Sequence, residues 1–413
     1  MGDRPRDTES RRPRKAARMS GGDAEREPAT QIVEAGRRRE WTGPAVNPPV
    51  WRTSTHLYSD SGDLAKGRPN EDGHYYYGRR GAPTQWALAD ALTGLEPGAD
   101  GTILYPSGVA AIAGTLMAIL RPGDRLLVTD NAYEPSRNMA LHALRRFGIE
   151  ARFFDPLDVE RFAGLFEEPV KAVLFESPGS LTMEVCDIPA LTRIARENGA
   201  VSVCDNTWAS PLGFQALARG CDISIMSLTK HVGGHSDLMM GSASAAEPFH
   251  SQLRRHAQAM GQVVSPDDAS LALRGLRTMH LRLERAAESA LKIAHWLAGQ
   301  PQVSAVLCPM LGGASGELWQ RDFTGGCGLF SFILGSSDPA DRDRFIDSLE
   351  LFGIGYSWGG FESLVIPFDP PRELRRWPPG TEGGLGIRLS IGLEHCNDLI
   401  SDLQQAFNHM DRT

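Results

Sequence analysis

Between about residue 85 and residue 264 the chain alternates short apolar runs with longer stretches of helical spacing. Residues 102–105, 125–129, 150–154, 172–175, 201–204, 223–226 and 241–245 read as strands, and residues 86–95, 109–120, 135–147 and 188–198 as helices. The Ala-rich stretch 109–120 stops at Arg121-Pro122-Gly123, a typical helix terminator. Short apolar strands separated by helices predict βαβ units, an α/β class and a mostly parallel sheet. Such sheets gather ligand-binding residues beyond the carboxyl ends of their strands.

After Val264 the pattern changes. Residues 266–298 read as a long helix with Leu, Met and Arg on alternating faces, broken near Gly275. Segments 328–334 and 342–351 and a final helix at 397–408 complete a smaller α+β domain. The first 40 residues are dense in Arg, Asp, Glu and Pro, with Arg11-Arg12-Pro13-Arg14-Lys15 and Arg37-Arg38-Arg39, and the composition predicts disorder up to about Thr30. Acidic residues interleave with these arginines, which argues against a nucleic-acid arm or a mitochondrial leader, and no apolar segment follows to make a secretory signal.

The 413 residues carry 43 basic and 51 acidic side chains, a net charge of −8. That balance argues against a dedicated nucleic-acid binder. No apolar run approaches the roughly 20 residues of a membrane span. Six scattered cysteines without a CxxC pair imply reduced core residues and a cytoplasmic protein.

Four strand ends hold candidate chemistry. Ser227-Leu228-Thr229-Lys230 follows the run at 223–226, and a lysine there must have its charge compensated or its pKa lowered, which makes a good Schiff-base former. Asp205 follows the run at 201–204, where a carboxylate reaches the same crevice and can keep a pyridine nitrogen protonated. Tyr105-Pro106-Ser107-Gly108-Val109 joins a strand to a helix N-terminus, a phosphate-binding geometry, and Ser227 and Thr229 could add hydroxyls to it. Tyr133, also just past a strand, can lie flat on a planar ring. Singly, each has a plainer explanation: a surface lysine, a turn-capping aspartate, an ordinary turn, a packing tyrosine. Together they point to pyridoxal 5′-phosphate. The pair His231 and His235 lacks helical context and a neighbouring glutamate of the zinc-protease type, so no metal site is expected.

On these residues the chain resembles the cystathionine β-lyase branch of the Cys/Met-metabolism pyridoxal phosphate enzymes. Segments matching in order include Tyr77-Gly78-Arg79-Arg80-Gly81, Tyr105-Pro106-Ser107-Gly108, Asn131-Ala132-Tyr133, Glu176-Ser177-Pro178-Gly179-Ser180, Asp205-Asn206-Thr207-Trp208, 227–237, Tyr356-Ser357-Trp358-Gly359 and Arg388-Leu389-Ser390. The resemblance implies aminotransferase fold type I: a seven-stranded, mostly parallel sheet between helices, with a smaller C-terminal domain and an extended N-terminal arm. The expected division is a tail and arm at 1–82, a cofactor domain at 83–264 and a C-terminal domain at 265–413.

It further implies that Lys230 bonds the cofactor covalently and Asp205 meets its ring nitrogen. Gly108, Val109, Ser227 and Thr229 would hold the phosphate, Tyr133 would stack on the ring, and Tyr77 and Arg79 would reach a neighbouring subunit's phosphate. Arg388 would take the substrate carboxylate, with Ser357 and Trp358 beside it and Tyr77 also near the substrate. The implied assembly is a homotetramer, a dimer of dimers with shared sites, acting on a small amino acid without nucleic-acid or membrane partners.

The implied reaction is β-elimination of L-cystathionine to homocysteine, pyruvate and ammonia, with Lys230 moving the proton and Tyr133 accepting one from the substrate amine if its phenol pKa is lowered. The γ-branch (cystathionine γ-lyase, γ-synthase or methionine γ-lyase) and a broader cysteine-S-conjugate lyase are the alternatives. The Tyr-Gly-Arg-Arg-Gly segment, Ser180 and Trp358 favour the β-branch. A binding protein that has lost turnover would be expected to lack Lys230, Asp205 or Arg388, and all three are present.

Overall fold

A computed structural model of the chain describes residues 26–313, 316–369 and 384–410. Seven strands, β1 (Gly101–Tyr105), β2 (Arg125–Thr129), β3 (Glu150–Phe154), β4 (Ala172–Glu176), β5 (Val201–Asp205), β6 (Ile223–Ser227) and β7 (Gly241–Ala245), form one sheet in the order β1-β7-β6-β5-β4-β2-β3. The pairs β2–β3, β2–β4, β4–β5 and β5–β6 are parallel, and β7 runs antiparallel to both β1 and β6.

Successive side chains of a strand point to opposite faces, and here both faces are covered. Val173 and Phe175 of β4 join one core with Trp86, Leu92 and Leu191, while Ala172 and Leu174 join a second with Ala111, Leu116 and Leu253. Helices Pro83–Leu95, Ile188–Glu197 and Pro266–Leu276 cover the first face, and Gly108–Ile119 and Phe249–Ala259 the second. Double burial is why these strands read as unbroken apolar runs.

Five further strands, β8 (Val303–Leu307), β9 (Leu329–Leu334), β10 (Gly353–Ile354), β11 (Leu364–Phe368) and β12 (Leu385–Ser390), form a second sheet in the order β10-β11-β12-β9-β8. Only β10–β11 is parallel. Phe330 and Phe332 of β9 meet Ile293 and Leu297 of helix Met279–Ala298 and Phe407 of helix Cys396–Met410 in a third core.

Most sequence-derived elements recur with ends moved by one to three residues. Two expectations are not met, and the expected break near Gly275 is present. The stretch 135–147 is a helical segment Glu134–Asn138 continued by a widened π-type turn at Met139–Leu144, a distinction that hydrophobic spacing does not carry. The helix break near Gly275 separates Pro266–Leu276 from Met279–Ala298. A Cβ at Gly275 would lie 2.3 Å from the Val232 carbonyl and 2.4 Å from that of Gly233, so only glycine lets the loop after Lys230 pass. Order begins before Thr30: helix Pro28–Glu34 buries Ile32, and Arg277 Nη1 donates to the Ala35 carbonyl at 2.8 Å. The buried Ile32 side chain and the Ile32 and Ala35 carbonyls held by Arg277 anchor that turn, which bulk composition does not reveal. Residues 1–25 lie outside the described residues.

Beyond helix Pro83–Leu95, Glu96 is only 1% exposed, and its carboxylate accepts the Leu217 N–H at 3.2 Å. Burial raises its pKa to about 7. The folded chain therefore binds a proton there that the unfolded chain releases near its ordinary value, so stability falls as pH rises from about 4.5 to about 7. Glu96→Gln should remove that slope, leaving the variant more stable at pH 8 by up to about 3 kcal/mol, as read by urea unfolding at pH 5 and pH 8.

Candidate active site

The carboxyl ends of β2, β4, β5 and β6 share one edge of the large sheet, and the loops leaving them bound a cleft of about 180 Å³ closed on the far side by Trp358 and Arg388. Lys230 lies three residues past β6. Arg282 fixes its loop from below, donating from Nη1 to the His231 carbonyl at 2.8 Å and from Nη2 to the Gly275 carbonyl at 2.7 Å. The Lys230 ammonium donates to Ser357 Oγ at 2.7 Å and stands 5.2 Å from the centre of the Trp358 ring. Burial draws its pKa down to about 8; nearby Arg388 adds to the fall and Asp205 opposes it. Such an amine is partly neutral near physiological pH, the state a nucleophile or a base requires.

Asp205 ends β5, and its Oδ1 accepts the Thr207 N–H at 3.0 Å and the Thr207 hydroxyl at 2.5 Å. Burial raises its pKa, while the Thr207 hydrogen bonds and the Lys230 charge hold it down. Beside it in parallel register, Glu176 ends β4 and accepts the Tyr133 backbone N–H at 2.6 Å. Burial, reinforced by Asp205, raises the Glu176 carboxyl well above the ordinary range.

The Gly108–Ile119 helix opens on the cleft. Its N-cap Ser107 accepts from Ala110 N at 3.1 Å, and the first intrahelical bond runs from Ala111 N to the Ser107 carbonyl. The amides of Gly108 and Val109 precede that bond and so have no acceptor within the helix. A Cβ on Gly108 would lie 2.7 Å from the Ser227 Cβ, so these two residues form a cradle that any side chain at 108 would fill. Thr229 also lines the cleft, although its hydroxyl is engaged with Met240, accepting from the amide at 3.0 Å.

Arg388 arrives from the second sheet, on β12, 8% exposed. Its Nη2 donates to the Ser357 carbonyl at 2.9 Å, its Nε is buried without a partner, and among the described residues it forms no ion pair. Burial lowers its pKa to about 10. A buried, unneutralised guanidinium in a cleft is a seat for a carboxylate. Ser357 links it to Lys230 from a left-handed backbone, φ +80°.

Tyr133 lines the cleft as well and is 43% exposed. Its phenol departs from the sequence-based expectation: burial first, then Glu176, push the pKa upward, with Arg388 pulling against them. A neutral phenol results. Tyr77 and Arg79 do not line this cleft. Arg79 donates from Nη1 to the Gln258 carbonyl at 2.6 Å and borders another cavity with Arg254, while Tyr77 is exposed. His231 and His235 are each tied to backbone carbonyls, of Trp208 at 3.0 Å and Gly233 at 2.7 Å.

Two participants had not been assigned roles from sequence, Glu176 and Thr207. The signal for Glu176 was present, since it ends its apolar run as Asp205 ends the next.

The cleft fits pyridoxal 5′-phosphate: a cradle of acceptor-free amides for the phosphate, an acidic side chain at a strand end, and a desolvated amine between them. A profile of the Cys/Met metabolism PLP-dependent enzymes matches residues 29–408. The chain is 42% identical to the cystathionine beta-lyase MetC of Escherichia coli over 386 residues, 92% of this chain and 97% of the relative. It is 43% identical to a putative cystathionine beta-lyase of Rhizobium johnstonii over 368 residues, 88% and 91% of the two chains. Cystathionine gamma synthase of Xanthomonas oryzae pv. oryzae, solved in complex with cystathionine, superposes with a TM-score of 0.84 at 32% identity, covering 94% of this chain and 99% of that one.

Gly108→Ala tests the cradle. It should weaken pyridoxal phosphate binding about tenfold or more, in a fluorescence titration of folded protein, because a methyl group would compete with the phosphate for the space against Ser227.

Proposed function

The chain belongs to the Cys/Met metabolism PLP-dependent enzymes, and from that membership we propose that it is a carbon–sulfur lyase cleaving L-cystathionine to homocysteine, pyruvate and ammonia. The observation that carries this reading is the convergence on one cleft of a desolvated amine, Lys230, and a buried guanidinium without an anion, Arg388, joined through Ser357. Lys230 would hold the cofactor covalently and Asp205 would face its ring nitrogen. Gly108, Val109, Ser227 and Thr229 would take the phosphate, with Tyr133 against the ring. When bound, pyridoxal 5′-phosphate supplies an electron-poor ring that accepts the electron pair left when the substrate Cα proton departs.

The chain's own residues do the rest. Arg388 grips the substrate α-carboxylate in a bidentate fork, fixing which Cα bond faces Lys230. The Lys230 amine, set free when the substrate amino group takes its place on the cofactor, removes the Cα proton in its neutral form. The Cβ–S bond then breaks, and Lys230 returns a proton to the leaving sulfur, giving homocysteine. The three-carbon remainder takes up water and departs as pyruvate and ammonia. Trp358 walls the cleft beside Lys230 and limits water access to the amine. Tyr133 acts here as a neutral phenol that packs and donates hydrogen bonds, not as an anionic base.

Tyr77 and Arg79 are assigned to the cleft of a neighbouring copy, which makes the working unit at least a dimer and, in this reading, a homotetramer of paired dimers in the cytoplasm. Their position away from this chain's own cleft supports that assignment, and the six cysteines, all free and buried, suit a reducing compartment.

Incubation with L-cystathionine should yield pyruvate and homocysteine in equal amounts; 2-oxobutyrate with cysteine would place the chain in the γ-branch. Mixing inactive Lys230→Ala with inactive Arg79→Ala after dissociation should restore about a quarter of native activity, because half the random pairs then contain one complete site of two. Absence of any recovery would mean that the sites are not shared.

A further inference from the structure

The inference rests on the pyridoxal phosphate reading of the cleft and concerns Glu176. Parallel pairing places Glu176 directly beside Asp205, so two carboxyl groups leave neighbouring strands roughly 4.8 Å apart at the backbone. Both line the cleft. Their surroundings are unequal. Asp205 has two donors from Thr207 and the Lys230 charge to stabilise an anion. Glu176 has a backbone amide of Tyr133 at 2.6 Å and, among the described residues, no ion pair.

The charged and titratable groups around this pair are Lys230 from the loop after β6, Tyr133 and Glu134 from the segment after β2, and Arg388 from β12. The Lys230 charge favours the Asp205 anion, and the Arg388 charge acts on the Tyr133 phenol. Two adjacent carboxyl groups in an enclosed cleft do not both ionise readily, and the better-solvated partner takes the charge.

We propose that Glu176 is a positioning residue that remains an uncharged carboxylic acid through the working pH range, anchoring the backbone of Tyr133 while leaving Asp205 the sole anion beneath the cofactor ring. The burial that raises its pKa agrees with this placement. One oxygen accepts from Tyr133, and the cleft-facing acid adds no negative charge to compete with Asp205. The tyrosine is thereby fixed by a neutral contact that does not disturb the electrostatics on which the ring nitrogen depends.

Glutamine reproduces a neutral acid's shape and acceptor, whereas alanine removes the acceptor. Glu176→Gln should therefore bind pyridoxal phosphate within about twofold of the native protein, with the pH midpoint of the bound cofactor's absorbance moved by less than about 0.3 units. Glu176→Ala should release the cofactor about tenfold faster, because the Tyr133 amide loses its partner. The infrared difference spectrum of native protein minus Glu176→Gln in D₂O at pH 7, with and without pyridoxal phosphate, should contain the stretch of a protonated carboxyl group.

An absent carboxyl band, or a midpoint that falls by about one unit in the glutamine variant through loss of an anion, would overturn the proposal. So would equal damage from glutamine and alanine. Should the cofactor reading itself fail, no cofactor absorbance would form in the native protein, and the cofactor-free infrared spectrum would still decide whether Glu176 holds a proton.

Discussion

The site depends on holding an amine out of water without neutralising it by direct pairing. Lys230 makes its hydrogen bond to a hydroxyl, Ser357 Oγ, and rests near an aromatic face, with Asp205 acting across the cleft. A carboxylate in direct contact would have stabilised the ammonium and removed its reactivity. Burial alone would have neutralised it entirely, at a large cost in desolvation. The observed compromise leaves its pKa near 8. The surrounding structure serves that balance: Gly275 admits the loop, Arg282 clamps it, and Arg388 contributes like charge from the second sheet.

Sheet architecture explains how residues distant in sequence come together. Glu176, Asp205 and Ser227 each end a strand of a parallel set, so their side chains or following loops emerge on one edge. The Gly108–Ile119 helix begins at the same edge, because β1 lies parallel in direction to β6 across β7. The opposite wall comes from the smaller sheet, which brings Ser357 to Lys230 across 127 residues of sequence.

Much of this was legible in the chain. Double burial of the parallel strands makes them continuous apolar runs, and the residue type after each run disclosed Lys230, Asp205, the Gly108 turn and Tyr133. Arg388 and Ser357 were legible only through family resemblance, since nothing local distinguishes a buried cleft arginine on β12 from a surface one. The contact between Lys230 and Ser357 depends on tertiary packing of the two sheets and has no local signature. The direction of the Tyr133 shift was likewise hidden, because it is set by burial in the folded cleft and then by Glu176, on a strand 43 residues away. Ile32 shows the same limit at the N-terminus, where a buried side chain and the Arg277 hydrogen bonds anchor a segment of polar composition.

The central claim is that Lys230 is the amine joined to the cofactor. Reduction of the pyridoxal phosphate-loaded protein with borohydride, followed by digestion and mass spectrometry, fixes the cofactor to whichever lysine holds it. The mass of a reduced pyridoxyl group should appear on the peptide containing Lys230 and on no other, whereas labelling of Lys66, Lys171 or Lys292 with Lys230 unmodified would contradict the assignment.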